Sequence, residues 1–72
     1  MCTLEEIQSE INFRLWMFGL ALTELKKHYN RSYEENLLGK VTAFTNSDAV
    51  TKHASEEQKE QLLKIISELE VF

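Results

Sequence analysis

The sequence predicts an all-α protein: a small antiparallel bundle of three long helices in a single domain over residues 1–72. Three times, a Ser or Thr is followed three residues later by Glu or Gln, the spacing of an N-terminal capping box. Each occurrence opens a segment in which apolar residues recur at steps of three and four. The chain has 72 residues, 43% of them hydrophobic, and no proline. It is long enough for one domain with a modest core and too short for two.

The first helix is predicted over about residues 4–29, opened by the box at Thr3 and Glu6. Its apolar residues lie on one stripe: Leu4, Ile7, Ile11, Leu15, Phe18, Leu22, Leu25 and Tyr29. Acidic residues in the first turn favour this start, because they complement the positive end of the helix dipole. The predicted length is twice that of the next helix.

The second helix is predicted over about residues 33–45, opened by the box at Ser32 and Glu35. Its apolar side is formed by Tyr33, Leu37, Val41 and Phe44. Gly39 inside it costs about 1 kcal/mol relative to alanine, which makes this the weakest of the three helices. The short connection at residues 28–31 predicts an antiparallel hairpin with the first helix.

The third helix is predicted over about residues 56–71, opened by the box at Ser55 and Gln58. Its apolar side is formed by Leu62, Ile65, Ile66, Leu69 and Phe72. The connection before it is longer, and it leaves open whether residues 47–54 form a fourth short helix capped by Ser47 or Asp48.

The middle of the first helix is apolar on a second side as well. At about 100° per residue, Phe13, Trp16 and Leu20 lie opposite the main stripe, and Met17 bridges the two. One interpretation is a central helix sandwiched between the other two. The other is an exposed patch that binds a partner protein, or a second copy in a homodimer through this helix. Tryptophan is a favoured residue at binding hot spots.

Charge narrows the choice of partners. Twelve acidic and eight basic residues give a net charge of -4, which argues against nucleic acid and anionic membranes. Acidic residues concentrate in the last third of the chain, where Glu68 and Glu70 form a weaker candidate surface for a basic partner; a solvated helix face is the alternative. The most apolar stretch, residues 13–22, is about half the length of a membrane span, and no signal-peptide pattern opens the chain. We expect a cytoplasmic protein.

The chemistry-bearing residues do not predict catalysis, a cofactor or a metal. His28 and His53 are far apart and lack a nucleophile or an orienting partner nearby in sequence. Cys2 is the single cysteine, so no internal disulfide is possible. Gly39 and Lys40 are not preceded by the glycine-rich loop that binds phosphate. We therefore expect a non-enzymatic protein.

Three segments resemble a known family when taken in order. They are LALTELKK at residues 20–27, ENLLGKVTAFTN at residues 35–46 and ASEEQKEQLLKIISEL at residues 54–69. The first is similar to an amphipathic segment rich in Leu and Lys. The second is similar to a helix that ends in an aromatic residue and Asn, and the third to a closing helix opened by a Ser/Thr-x-Glu cap. Together they resemble the immunity proteins that protect bacteria from pediocin-like (class IIa) bacteriocins.

The resemblance implies an antiparallel four-helix bundle in the cytosol. It also implies a partner, a membrane sugar-transporter receptor already engaged by the bacteriocin, whose pore the immunity protein blocks from inside. Family members usually carry a C-terminal extension that influences which toxin is recognised, and this sequence ends at Phe72, so the toxin is left open.

Two other families are similar over shorter stretches. Residues 4–6 and 21–27 resemble co-chaperones of type III secretion needle subunits, which form a two-helix hairpin. A third resemblance is to the inhibitory propeptide of papain-like proteases, and it rests on Asn30, Arg31, Tyr33, Asn46, Val50 and His53. A phage-encoded inhibitor of similar size is a further alternative. All of these functions require a protein partner.

Overall fold

The computed structural model describes residues 3–72, which form four helices. In chain order they are α1 (Leu4–Lys27), α2 (Arg31–Thr45), α3 (Asp48–His53) and α4 (Glu56–Glu70). The all-α prediction is confirmed, and no strand occurs in the described range. The segment left open in the sequence, residues 47–54, contains the short helix α3.

The long helices alternate in direction along the chain. Three residues join α1 to α2, which therefore run antiparallel. Gln58 near the start of α4 contacts Gln8 near the start of α1, whereas Glu68 near the end of α4 contacts Lys26 near the end of α1. Helix α4 consequently runs parallel to α1 and antiparallel to α2. At 1.5 Å per residue, α1 is about 36 Å long and accounts for the 39 Å long axis of the molecule.

The core lies where α1, α2 and α4 meet, with α3 contributing one residue at the end. The buried apolar side chains are Ile11, Leu15, Phe18, Leu22, Leu25, Leu37, Val41, Val50, Leu62, Ile65 and Leu69. Partly buried Phe44 extends this core by an edge-on contact with Phe18, their ring centroids 5.9 Å apart. The main stripe predicted for each long helix supplies most of these residues.

The helix starts use three different capping arrangements. At α4 the box is complete: the Ser55 hydroxyl accepts from the Gln58 backbone N–H at 3.2 Å, and the Gln58 side-chain oxygen Oε1 accepts from the Ser55 N–H at 2.9 Å. At α1 the Thr3 hydroxyl accepts from the Glu6 N–H, but the described chain lacks the reciprocal bond. At α2 the cap is Asn30, whose side chain accepts from the Tyr33 N–H.

The predicted end of the first helix and the predicted start of the second were each wrong by two residues. Helix α1 ends at Lys27 rather than Tyr29, and α2 begins at Arg31 rather than Tyr33. The reason is Asn30, which caps a helix as well as serine does; this starts α2 earlier and places Ser32 inside its first turn. The last helix ends at Glu70, one residue before the predicted end.

Four residues assigned to the buried stripes are exposed: Leu4, Tyr29, Tyr33 and Phe72. Each lies at or beyond the end of its helix or in a first turn, where no neighbouring helix covers it. Tyr29 and Phe72 instead stack on each other, with ring centroids 5.4 Å apart. This contact joins the end of α1 to the end of the chain outside the core.

Candidate protein-binding face

Helix α1 carries a contiguous apolar surface that no other helix covers. We call it the outer face and define it by Phe13, Trp16, Met17 and Leu20, whose exposed fractions are 55, 61, 44 and 52%. Phe13 and Leu20 each lie three or four positions from both Trp16 and Met17, so the four side chains form one surface on about two turns of helix. The rings of Phe13 and Trp16 are neighbours, with centroids 6.1 Å apart and a tilt of 31°.

The outer face is exposed because every other helix packs on the opposite side of α1. Its centre lies about 170° around the helix from the centre of the buried side chains. On one flank Arg14 lies over the ring of Phe44 in α2, and on the other Asn12 is bonded to Gln58 in α4. The sandwich interpretation of the sequence is therefore wrong: α2 and α4 together cover one broad side of α1.

One edge of the outer face continues into a groove between α1 and α2. The groove has a volume of about 130 Å³ and is lined by Met17, Phe18, Ala21, Tyr33, Asn36, Leu37 and Lys40. Tyr33 is 43% exposed and adds an aromatic ring beside Met17. The apolar surface thus extends across two helices, and Lys40 is the one charged residue that lines the groove.

The weaker candidate, the acidic end of the last helix, lies elsewhere. Glu68 is half-buried, and its carboxylate accepts a hydrogen bond from Lys26 Nζ at 3.0 Å across the seam of α1 and α4. Glu70 is exposed two positions further along. Lys26 lies about 130° around α1 from the centre of the outer face. The structure therefore separates Glu68 from the outer face and ties it to a neighbouring helix.

Gln58, on α4 where that helix meets α1, forms contacts that the sequence did not predict. Its side chain is buried, and its amide nitrogen donates to the Gln8 carbonyl at 3.1 Å and to Asn12 Oδ1 at 2.8 Å. Gln8 in turn donates from Nε2 to the His53 carbonyl at 3.0 Å. This polar seam links α1, α3 and α4 beside a depression of about 330 Å³. A glutamine in a capping box was the only signal, and it predicted the cap alone.

Neither histidine belongs to the outer face. His28 is the exposed C-cap residue that follows α1, and His53 is half-buried at the end of α3. Within residues 3–72, no three His, Cys, Asp or Glu side chains are grouped so that they could hold a metal ion. Cys2 lies outside the described residues.

Comparisons with known proteins do not place the chain in a family. No protein-family model matches the sequence, and neither the curated proteins nor the solved structures give a significant match. None of the helices within residues 3–72 has the combination of length and hydropathy that crossing a membrane requires. The four-helix architecture itself differs from the two-helix hairpin of the secretion co-chaperones, because α4 supplies Leu62, Ile65 and Leu69 to the core.

Proposed function

We propose that this protein is a non-enzymatic binding module that attaches to another protein through the outer face of α1. The observation that carries the proposal is the exposure of Trp16, which is 61% accessible at the centre of an apolar surface. A protein of this size can keep one large indole exposed, but four adjacent apolar side chains on one helix are typical of an interaction site.

The energetics of the outer face are those of a binding site. Completing the burial of each of its half-exposed side chains is worth roughly 1 kcal/mol or more, about half the value for full burial. The groove beside Met17 offers a place for a partner side chain, and Lys40 in its lining favours an acidic group there. An amphipathic helix of the partner, with its apolar side on α1, fits this arrangement.

At a finer level, we propose that the binding serves immunity against a pediocin-like bacteriocin. The resemblance to that family rests on residues 20–27, 35–46 and 54–69. In the structure they form the last third of α1, most of α2 with its C-terminal cap, and α4 with its N-terminal cap. The partner is then the bacteriocin-bound receptor, reached from the cytoplasmic side of the membrane.

Exposing living cells to bacteriocins tests both proposals, the binding through the outer face and the immunity function. The protein is expressed in a strain sensitive to pediocin-like bacteriocins, and survival is measured against a panel of these toxins. Wild-type protein should raise the lethal dose of at least one toxin. Leu20→Ala should remove about tenfold or more of that protection, since losing a contact of more than 1.4 kcal/mol weakens binding by that factor.

The matched control is Leu63→Ala. Leu63 is also a leucine on the outside of a long helix, and it is 58% exposed on α4 against 52% for Leu20. Protection by this variant should equal that of the wild type at equal expression. Absence of protection against the whole panel would refute the immunity function, and equal protection by the two leucine variants would refute the outer face as the binding site.

A further inference from the structure

We infer that the outer face of α1 also binds a second copy of this chain, forming a two-fold symmetric dimer in which the two α1 helices run antiparallel. The inference rests on the binding face of the proposed function, and it names the occupant of that face in the free protein. What points to a second copy is the distribution of charge along the same side of α1.

The side of α1 that carries the outer face ends in opposite charges. Glu6 lies seven residues before Phe13, and Lys27 lies seven residues after Leu20. Exposed Glu24, one turn before Lys27, also projects about 30° from the centre of the outer face. Glu6 and Lys27 are the outermost charges on this side, and each lies within about 30° of the same centre. Both are exposed, and neither forms an ion pair within residues 3–72. The incomplete capping box at Thr3 leaves the Glu6 carboxylate free to interact outward.

This layout is self-complementary in one orientation only. If the two-fold axis passes between Trp16 and Met17, Phe13 faces Leu20 of the second copy, and Glu6 faces its Lys27. Symmetry produces each of these contacts twice. A parallel pair would instead place Glu6 against Glu6 and Lys27 against Lys27, and like charges in register are repulsive. The antiparallel pair also sets the two helix dipoles head to tail.

The size of the outer face predicts a weak dimer. Its four side chains, each about half exposed, offer on the order of 400 Å² per copy, against about 800 Å² per partner in a standard stable interface. The dissociation constant of the dimer should therefore be micromolar or higher. Such a dimer leaves the face available to a tighter partner and shields it from unspecific contacts at high concentration.

The purified full chain tests this directly by sedimentation equilibrium between about 1 µM and 1 mM, the range in which a weak dimer dissociates. The mass should rise from monomer to dimer over this range. Trp16 is the only tryptophan, so its fluorescence should shift to shorter wavelength in parallel as the indole leaves water. Leu20→Ala should weaken the dimer at least tenfold and Leu63→Ala should leave it unchanged.

Charge reversal tests the orientation. Glu6→Lys and Lys27→Glu should each weaken the dimer about tenfold, because each converts two attractive pairs into repulsive ones. The double variant restores opposite charges at both places and should return the dissociation constant to within about threefold of the wild type. Glu60→Lys on α4 makes the same charge change away from the face and should have no effect. Circular dichroism verifies the helix content of every variant.

The outcomes separate this inference from the proposed function. A wild-type chain that stays monomeric up to 1 mM overturns the dimer, and a double variant weaker than both single variants overturns the antiparallel arrangement. If Leu20→Ala abolishes protection of cells while the wild type is monomeric, the dimer fails and the proposed function stands. If the charge variants behave as expected but no toxin is neutralised, the immunity function fails and the dimer stands.

Discussion

The two sides of α1 carry side chains of the same kind, yet they have opposite surroundings. The inner side, formed by Ile11, Leu15, Phe18, Leu22 and Leu25, is at most 9% exposed, whereas every residue of the outer face is at least 44% exposed. The composition of the helix therefore does not determine which side is buried. The rest of the chain does: α2 and α4 have 15 residues each and cover one side, and the six-residue α3 is too short to cover the other.

Truncating one leucine on each side of α1 tests the difference between the two sides. Leu22→Ala removes a side chain that is 5% exposed, and it should lower the free energy of unfolding by about 3 kcal/mol through lost burial and the resulting cavity. Leu20→Ala, two positions earlier and on the outer face, should lower it by less than about 0.5 kcal/mol. Urea denaturation at low micromolar concentration, where the monomer predominates, measures both.

The two losses of unfolding free energy together test which side of α1 is buried. A loss of more than about 2 kcal/mol in Leu20→Ala would mean that the outer face is part of the core, as the sandwich interpretation required. A loss below about 1 kcal/mol in Leu22→Ala would contradict the packing of α1 against α2 and α4.

Sequence periodicity predicted the inner side of α1 but not which of the two apolar sides would face solvent. Phe13, Trp16 and Leu20 have helical spacing in either arrangement, so the pattern could not distinguish a sandwiched helix from a one-sided one. The capping box at Ser55 and Gln58 was predicted because its partners are three residues apart. The contacts of Gln58 with Gln8 and Asn12 were not, because they join residues 50 and 46 positions apart. Local signals report caps, whereas burial of a polar side chain depends on tertiary packing.

Gln58 lies at the seam where α4 meets α1, and two substitutions separate its two roles. Gln58→Ala removes the side-chain half of the capping box and both bonds to α1, and should lower the free energy of unfolding by about 2 kcal/mol. Gln58→Glu keeps an oxygen that can accept from the Ser55 N–H, but it replaces the amide donor with an oxygen that faces two acceptors. At pH 7 it should be at least as destabilising as Gln58→Ala, and thermal unfolding compares the two.

The control for this pair is Gln61→Ala, which truncates an exposed glutamine one turn further along α4 and should change stability by no more than about 0.5 kcal/mol. If Gln58→Glu were as stable as the wild type, the cap would account for the whole role of the residue. The bonds across the seam to Gln8 and Asn12 would then contribute nothing measurable.

The smallest effect is expected where the surface of the bundle is open, at Gly39 in α2. Its backbone is not in the left-handed region, and a Cβ atom built there meets nothing within 4 Å. Gly39→Ala should therefore stabilise the monomer by about 0.5–1 kcal/mol, because alanine loses less conformational entropy in a helix. Gly19→Ala in α1 has equally open space and should give a similar gain. Thermal unfolding measures both gains. A loss of stability at Gly39 would show that α2 packs more closely there than the structure describes, and would place the neighbouring groove with Met17 and Tyr33 in doubt.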